Sequence, residues 1–226
     1  YLGILPLGTM NLLAHDLGIP EDFAEALRAY EHCRTTHIDC GMVNGHVFLC
    51  NAVIGVVPEA SLAREEARRA HSLHDSLLSW SAVLSTVFDG LHKHHRRRFD
   101  VSTGRRRRTF YSNALIIANN GYMQNPRQPQ ERLRRNTLTD GRLVIYSAGP
   151  ASRFAALRLL LRLIWGSWQK DPAIHAFNAT HAIISDLHKH SLVSLDGEAI
   201  ELTEPLEFKI LPKALPVMVP AERNIV

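Results

Sequence analysis

Cysteine is scarce in this sequence. Cys33, Cys40 and Cys50 are the only three, and no two of them form a CxxC pair. So small and odd a set excludes a disulfide scaffold and reads as buried thiols in a reducing compartment. No histidine or further cysteine stands at ligand spacing, so a zinc site is not expected from them. Long apolar runs are lacking too. No uncharged stretch reaches the ~18 residues of a transmembrane helix. The best candidate, residues 157–165, is short and is interrupted by Arg158 and Arg162. Glycine (13) and proline (11) show no collagen-like period. What is present is an ordinary folding composition. The 226 residues are 46% hydrophobic and 21% charged, which excludes intrinsic disorder and allows one large domain or two small ones with a sizeable core.

The chain opens with an apolar run, Leu2, Ile4, Leu5 and Leu7, closed by Gly8-Thr9. This reads as a buried strand end followed by a turn. A core strand needs neighbours on both sides, so sequence is expected upstream of Tyr1. Asn11 is a plausible N-cap for a short helix carrying Leu12, Leu13, Ala14 and Leu17, and Gly18 with Pro20 ends it. A second helix is expected over residues 20–30. Strand, turn, helix, helix is the tail of an α/β unit.

From residue 36 the pattern changes. Strands are expected around the Asn44-Gly45 turn, a strong hairpin signal between apolar runs. Residues 58–93 read as one long amphipathic helix. Strands follow at 98–102, 111–119 and 142–148, helices at 152–167 and 172–177, then strands at 182–186, 191–195, 199–202, 206–211 and 214–219. So many short strands predict a β-sandwich or barrel-like domain with helical insertions. The overall expectation is an α+β, mainly β fold.

Charge is unevenly placed. Between residues 92 and 108, Lys93, Arg96, Arg97, Arg98, Arg105, Arg106, Arg107 and Arg108 face only Asp100, an excess above the whole chain's +4. A basic hairpin of this kind draws a protein to anionic lipid headgroups, at ~1 kcal/mol per basic residue near the surface. A solvated edge hairpin protected by its charges reads equally well. Nucleic acid is not expected as a partner, because no aromatic stacking platform accompanies the charge. The 13 histidines, including His92, His94, His95, His188 and His190, lack zinc-site spacing and read as surface residues. Leu157, Leu160, Leu161, Ile164 and Trp165 form an apolar helical stripe with Arg158 and Arg162 opposite. Core packing is the default reading, and lipid-tail contact is the alternative.

The segment from Leu2 to Asn11, Leu-Gly-Ile-Leu-Pro-Leu-Gly-Thr-Met-Asn, with Asp16-Leu17-Gly18-Ile19-Pro20, resembles the LPLGTxN…DLGIP segment of the diacylglycerol kinase family. That family is related to sphingosine kinases and NAD kinases. Val43-Asn44-Gly45, Ala118-Asn119-Asn120, residues 138–143 and Leu195-Asp196-Gly197-Glu198 follow in the family's order. Leu12 stands where the usual form, LPLGTxNDFA, has Asp. The resemblance implies residues 1–35 as the tail of an N-terminal α/β nucleotide domain and residues 36–226 as the β-rich C-terminal domain, with the last strand returning to the first domain. The family's GGDGT phosphate loop would lie upstream, and without it the 226-residue chain is expected to be inactive.

The resemblance also assigns roles. Glu198 becomes the base that takes the proton from a lipid hydroxyl, although by residue type alone it is a solvated Glu after an Asp-Gly turn. Asp196 shapes that turn. Thr9, with Gly8 and Asn11, falls where the family touches nucleotide, and the Gly-Thr turn offers N–H groups to phosphate. Asp140, with the backbone carbonyls of Thr137 and Arg142, would hold a structural Mg²⁺ in an oxygen-only shell. A plain metal-free turn is the alternative there. The implied activity is transfer of the ATP γ-phosphate to diacylglycerol or a similar lipid, with ATP and Mg²⁺ as cofactors. The implied location is cytoplasmic with peripheral membrane association, and a homodimer stays open. The competing readings are a non-catalytic module that binds lipid or anionic membrane, and a kinase of another hydroxyl such as a sphingoid base or a nicotinamide nucleotide.

Overall fold

A computed structural model describes residues 1–8, 10–55, 97–104, 106–124, 133–149, 152–185 and 190–221. The helix expected over 58–93 lies outside the described residues, as do Thr9, Lys93, Arg96, Arg105 and the histidines at 92, 94, 95 and 188.

Two short helices come first, α1 (Leu12–Asp16) and α2 (Phe23–Ala29). Asp22 caps α2, accepting from the Glu25 N–H at 2.9 Å. The chain then enters β1 (Cys33–Val43), β2 (His46–Phe48) and β3 (Asn51–Gly55). Next come β4 (Arg97–Thr103), β5 (Arg106–Ser112), β6 (Ala114–Asn119) and β7 (Leu143–Ala148). Helix α3 (Arg153–Ile164) and a 3₁₀ turn (Trp168–Lys170) lead to β8 (Ile174–Ala179) and β9 (His181–Ser185). The chain closes with β10 (His190–Leu195), β11 (Glu198–Thr203) and β12 (Leu206–Pro220).

The strands form two six-stranded sheets, ordered β2-β1-β12-β9-β4-β5 and β11-β10-β3-β6-β7-β8. Every named pair is antiparallel. Alternating apolar residues turn inward from both sheets, among them Phe48, Phe99, Ile117, Ile145, Ile184 and Phe208, and make one core between them. A second core lies under α1 and α2, where Leu13, Leu17 and Ala26 meet Ile38, Val217 and Val219. β12 serves both. Its first half joins the sandwich core, and its second half pairs with β1 as far as Pro220 and bridges Leu2 at Val217.

Several local expectations are corrected. The opening run is no strand; only the Leu2–Val217 bridge forms there. The stretch 111–119 is two strands, because the chain changes sheets at Asn113. Ser112 holds that corner, its hydroxyl 2.8 Å from the carbonyls of Ala114 and Ala148. Residues 172–177 are not helical. After the 3₁₀ turn they run into β8, paired along β7. The runs 206–211 and 214–219 are one strand, since the irregularity opposite Asp39 bends the ladder without ending it. Cys33 is exposed, Cys40 buried and Cys50 half-buried, because β1 begins at the rim of its sheet.

Candidate active site

The late turn is built as the residue types demand. Asp196 and Gly197 both take positive φ, 49° and 100°, which a two-residue hairpin of primed type requires. The carboxylate of Asp196 accepts hydrogen bonds from the backbone N–H groups of Leu49 (2.6 Å), Cys50 (2.8 Å) and Asn51 (2.9 Å). It therefore clamps the β10–β11 turn onto the link between β2 and β3. Glu198 follows directly, paired with Leu195 across the hairpin and exposed. Its carboxylate has no hydrogen-bond or ion-pair partner among the described residues.

The Leu49–Asn51 link is held from three further sides. Asn119 Nδ2 donates to the carbonyls of Asp39 and Leu49, both at 2.8 Å. Asn51 Nδ2 donates to the Tyr122 hydroxyl at 3.1 Å. Arg135 donates to the carbonyl of Leu49 and reaches Cys50 Sγ at 3.8 Å. Arg135 is in turn locked to Asp16 on α1, Nε to Oδ2 at 2.7 Å, and its own backbone N–H donates to Asp16 Oδ1 at 2.9 Å. Both side chains are 2% exposed. Burial pushes the Asp16 carboxyl up. Burial also pulls Arg135 down, but the Asp16 charge and hydrogen bond together with Cys50 and Tyr122 outweigh it and keep the guanidinium above its usual value. Burial pushes the Cys50 thiol up to about 12, so this cysteine is no nucleophile. A continuous polar path thus runs from α1 through Asp16, Arg135, Leu49–Asn51 and Asp196 to the backbone that carries Glu198.

The loop before α1 is self-contained. Asn11 sits in the left-handed region (φ 45°) and makes no side-chain cap to α1. Its Oδ1 instead accepts the Gly8 N–H at 2.8 Å and its Nδ2 donates to the Pro6 carbonyl at 3.3 Å. The Gly8 amide is therefore not a free phosphate donor. Asn11 shapes the loop in which Thr9 lies, and Thr9 itself is outside the described residues.

The turn at Asp140 is organised by a residue that the sequence reading missed. Asp39 sits at the irregularity in β1, 1% exposed. Its carboxylate accepts the N–H groups of Gly141 (2.7 Å) and Lys213 (2.8 Å), and its own N–H donates to Leu138. An acidic residue within the apolar, buried half of β1, two residues before Gly41, was the available signal. The Asp140 carboxylate projects outward and pairs through Oδ2 with the Arg142 guanidinium at 2.5 Å. The Arg142 carbonyl accepts the Asn120 N–H at 3.0 Å. The oxygens of Asp140, Thr137 and Arg142 suit a hard cation in kind. In charge the fit is thin, since the one carboxylate already faces a guanidinium. No group of three or more His, Cys, Asp or Glu that could hold a metal ion occurs among the described residues. Asp140 and Arg142, with Gln169 and Asn178, line a cleft of about 750 Å³.

The basic hairpin is β4 and β5, turning at Gly104 (φ 58°). Asp100 partly neutralises it, taking Thr109 Oγ1 at 2.7 Å, Arg107 at 3.0 Å and Arg98 at 3.3 Å. The Thr109 hydrogen bond first, then the two guanidiniums, hold its carboxyl below the usual value. Arg108 lies over the Phe177 ring, 5.5 Å from its centre.

Over residues 63–219 the sequence matches the YegS C-terminal NAD kinase beta sandwich-like domain, and over residues 1–43 the diacylglycerol kinase catalytic domain. Two solved structures from Bacillus anthracis str. Sterne resemble it. One, a provisionally assigned diacylglycerol kinase, is 20% identical with a TM-score of 0.71, over 100% of this chain and 69% of that one. The other, a diacylglycerol kinase, is 16% identical with a TM-score of 0.62, over 100% and 68%. At these identities the likeness is one of fold. An uncharacterized protein of Synechocystis sp. is 25% identical over 236 residues, 99% of this chain and 50% of its own length, so the chain spans half of that relative. The chain belongs to the diacylglycerol kinase family, and most of it is the YegS-type C-terminal β-sandwich-like domain.

Proposed function

We propose that the protein acts as an ATP-dependent lipid kinase and phosphorylates the hydroxyl of diacylglycerol or a lipid of that class. The observation that carries this reading is Glu198, an unpartnered carboxylate on a turn that Asp196 fixes to the backbone of residues 49–51. A general base must be free to accept a proton and must be held in place, and this position meets both needs.

In the proposed step the lipid hydroxyl oxygen bonds to the γ-phosphorus. The bond from that phosphorus to the β,γ-bridging oxygen breaks, ADP leaves, and the hydroxyl proton passes to Glu198. The Pro6–Asn11 loop would lie against the nucleotide, with residues 1–35 as the end of the nucleotide-binding domain and residues 36–226 as the β-rich domain. Mg²⁺ bound by Asp140 and the carbonyls of Thr137 and Arg142 would brace the Asp140 turn. A thermal shift by Mg²⁺ that Asp140→Asn removes supports that assignment, and no shift withdraws it. Arg97, Arg98, Arg106, Arg107 and Arg108 would hold the enzyme at an anionic membrane, peripherally and from the cytoplasm.

The test is phosphate transfer from ATP to diacylglycerol in mixed micelles by the full-length protein, with a sphingoid base and NAD as competing acceptors. Glu198→Gln is expected to lower turnover about 10²–10⁴-fold at unchanged melting temperature. Turnover within a few-fold of wild type removes Glu198 as the base, and preference for another acceptor removes the lipid assignment.

A further inference from the structure

Helix α3 shows water its most hydrophobic side. Phe154 is 85% exposed, Leu157 45%, Leu161 38% and Trp165 71%. These residues recur at helical spacing and form one stripe along the helix and its C-cap. The core reading is therefore corrected for Leu157, Leu161 and Trp165, while Leu160 and Ile164 are half-buried. The face that packs onto the sheet is a different one, where Ala156 and Leu159 are buried and Leu159 meets Val144, Tyr146 and Trp168. A helix with one apolar face on the core and a second, aromatic one in water is not explained by folding alone.

The flank of the stripe is basic, and its cations are fixed. Arg158 makes a two-pronged contact with Asp171, Nε at 2.8 Å and Nη2 at 2.9 Å. Arg162 approaches the same carboxylate at 3.5 Å and donates to the Lys170 carbonyl at 2.6 Å. The Asp171 carboxylate itself is fully shielded from solvent. Arg158, Arg162 and Lys170 thus rim a shallow groove of about 570 Å³ whose floor is Leu157 and Leu161, with Phe154 and Trp165 at its ends. Aromatic rings at both ends of an apolar stripe, with guanidiniums along one side, match the boundary between acyl chains and anionic headgroups. A protein partner would need a complementary acidic rim, whereas an anionic bilayer supplies both the apolar depth and the negative charge at once.

We propose that α3 is a membrane-docking helix, which lies in the plane of an anionic bilayer with Phe154, Leu157, Leu161 and Trp165 in the acyl boundary and Arg158, Arg162 and Lys170 at the lipid phosphates. This surface is separate from the basic hairpin and does not rest on the phosphotransfer reading.

The test uses vesicles of equimolar phosphatidylcholine and phosphatidylglycerol, with no nucleotide present. The wild-type chain is expected to sediment with them, and lipids brominated in the acyl chain are expected to quench its tryptophan emission. Trp165→Phe should lower the quenched fraction, leaving only Trp80 and Trp168 to report. Phe154→Ser with Trp165→Ser is expected to weaken partitioning about tenfold or more. Both positions are exposed, so circular dichroism and melting temperature should stay as in wild type. Glu198→Gln should bind vesicles like wild type, which separates this idea from the proposed catalysis. Quenching that Trp165→Phe leaves unchanged overturns the proposal. So does a double variant that binds as well as wild type, or one that converts a dimer to a monomer, which would assign the stripe to a second copy of the chain.

Discussion

Asp16 and Arg135 lie 119 residues apart in sequence and close on each other at 2.7 Å, with both side chains 2% exposed. Through this pair α1 is joined to the Leu49–Asn51 link and so to the turn before Glu198. Desolvated charges are tolerated because each completes the other and because Arg135 also satisfies the carbonyls of Leu49 and Asn119.

Removing one partner leaves the other charge buried. Arg135→Leu or Asp16→Ala is expected to lower unfolding free energy by about 3–5 kcal/mol in urea titration at neutral pH. Replacing both with apolar residues of similar volume should recover part of that loss. Single variants as stable as wild type would show that the pair is solvated in solution.

Asp196 ties three backbone amides at one exposed turn. Asp196→Ala should cost about 1–3 kcal/mol, read from the shift in denaturation midpoint. It should also depress phosphotransfer, because Glu198 is then no longer held. Activity that survives the loss of stability would separate the two residues.

Asp171 gives a pH dependence of definite sign. The Arg158 hydrogen bonds, with Arg162 adding to them, hold its carboxyl below the ordinary aspartate value of 3.8. The folded state thus binds this proton less readily than the unfolded chain does. The stabilisation is fully present above that ordinary value and is lost as pH falls through the depressed one. Melting temperature should drop steeply below about pH 4, and Asp171→Asn should flatten that limb while lowering stability at neutral pH. Equal slopes in both proteins would contradict the assignment.

Charge reversal on the hairpin isolates long-range electrostatics. Arg106→Glu with Arg107→Glu should weaken binding to anionic vesicles by roughly fivefold or more per residue. Added salt should erase the difference, since the screening length is about 10 Å at 0.1 M. Binding that ignores both the substitutions and salt would remove the hairpin from the membrane contact.

Where a structural signal is carried by neighbours in sequence, it was legible. Asn44-Gly45 and Asp196-Gly197 both announced tight hairpin turns, and both adopt positive φ. The order of the motifs pointed to the family before any geometry was known. Other features had no local signature. Ser112-Asn113 interrupts the apolar run by only two polar residues, which gives no sign that the chain leaves one sheet for another there. Asp39 interrupts the apolar half of β1, but nothing near it in sequence told that it would meet the amides of Gly141 and Lys213. The stripe on α3 has the period of a core face, and only the packing of Ala156 and Leu159 onto the sheet showed that it points the other way.

By itself, then, the sequence determined the turns, the many short strands of a mainly β fold, and the kinship read from motif order. These depend on short-range backbone preference and on side-chain period. Which carboxylate is buried and paired, which is left unpartnered, and which side of a helix meets water were decided only when distant segments packed. Burial, desolvation and charge pairing belong to the folded surroundings of a residue and not to its neighbours along the chain.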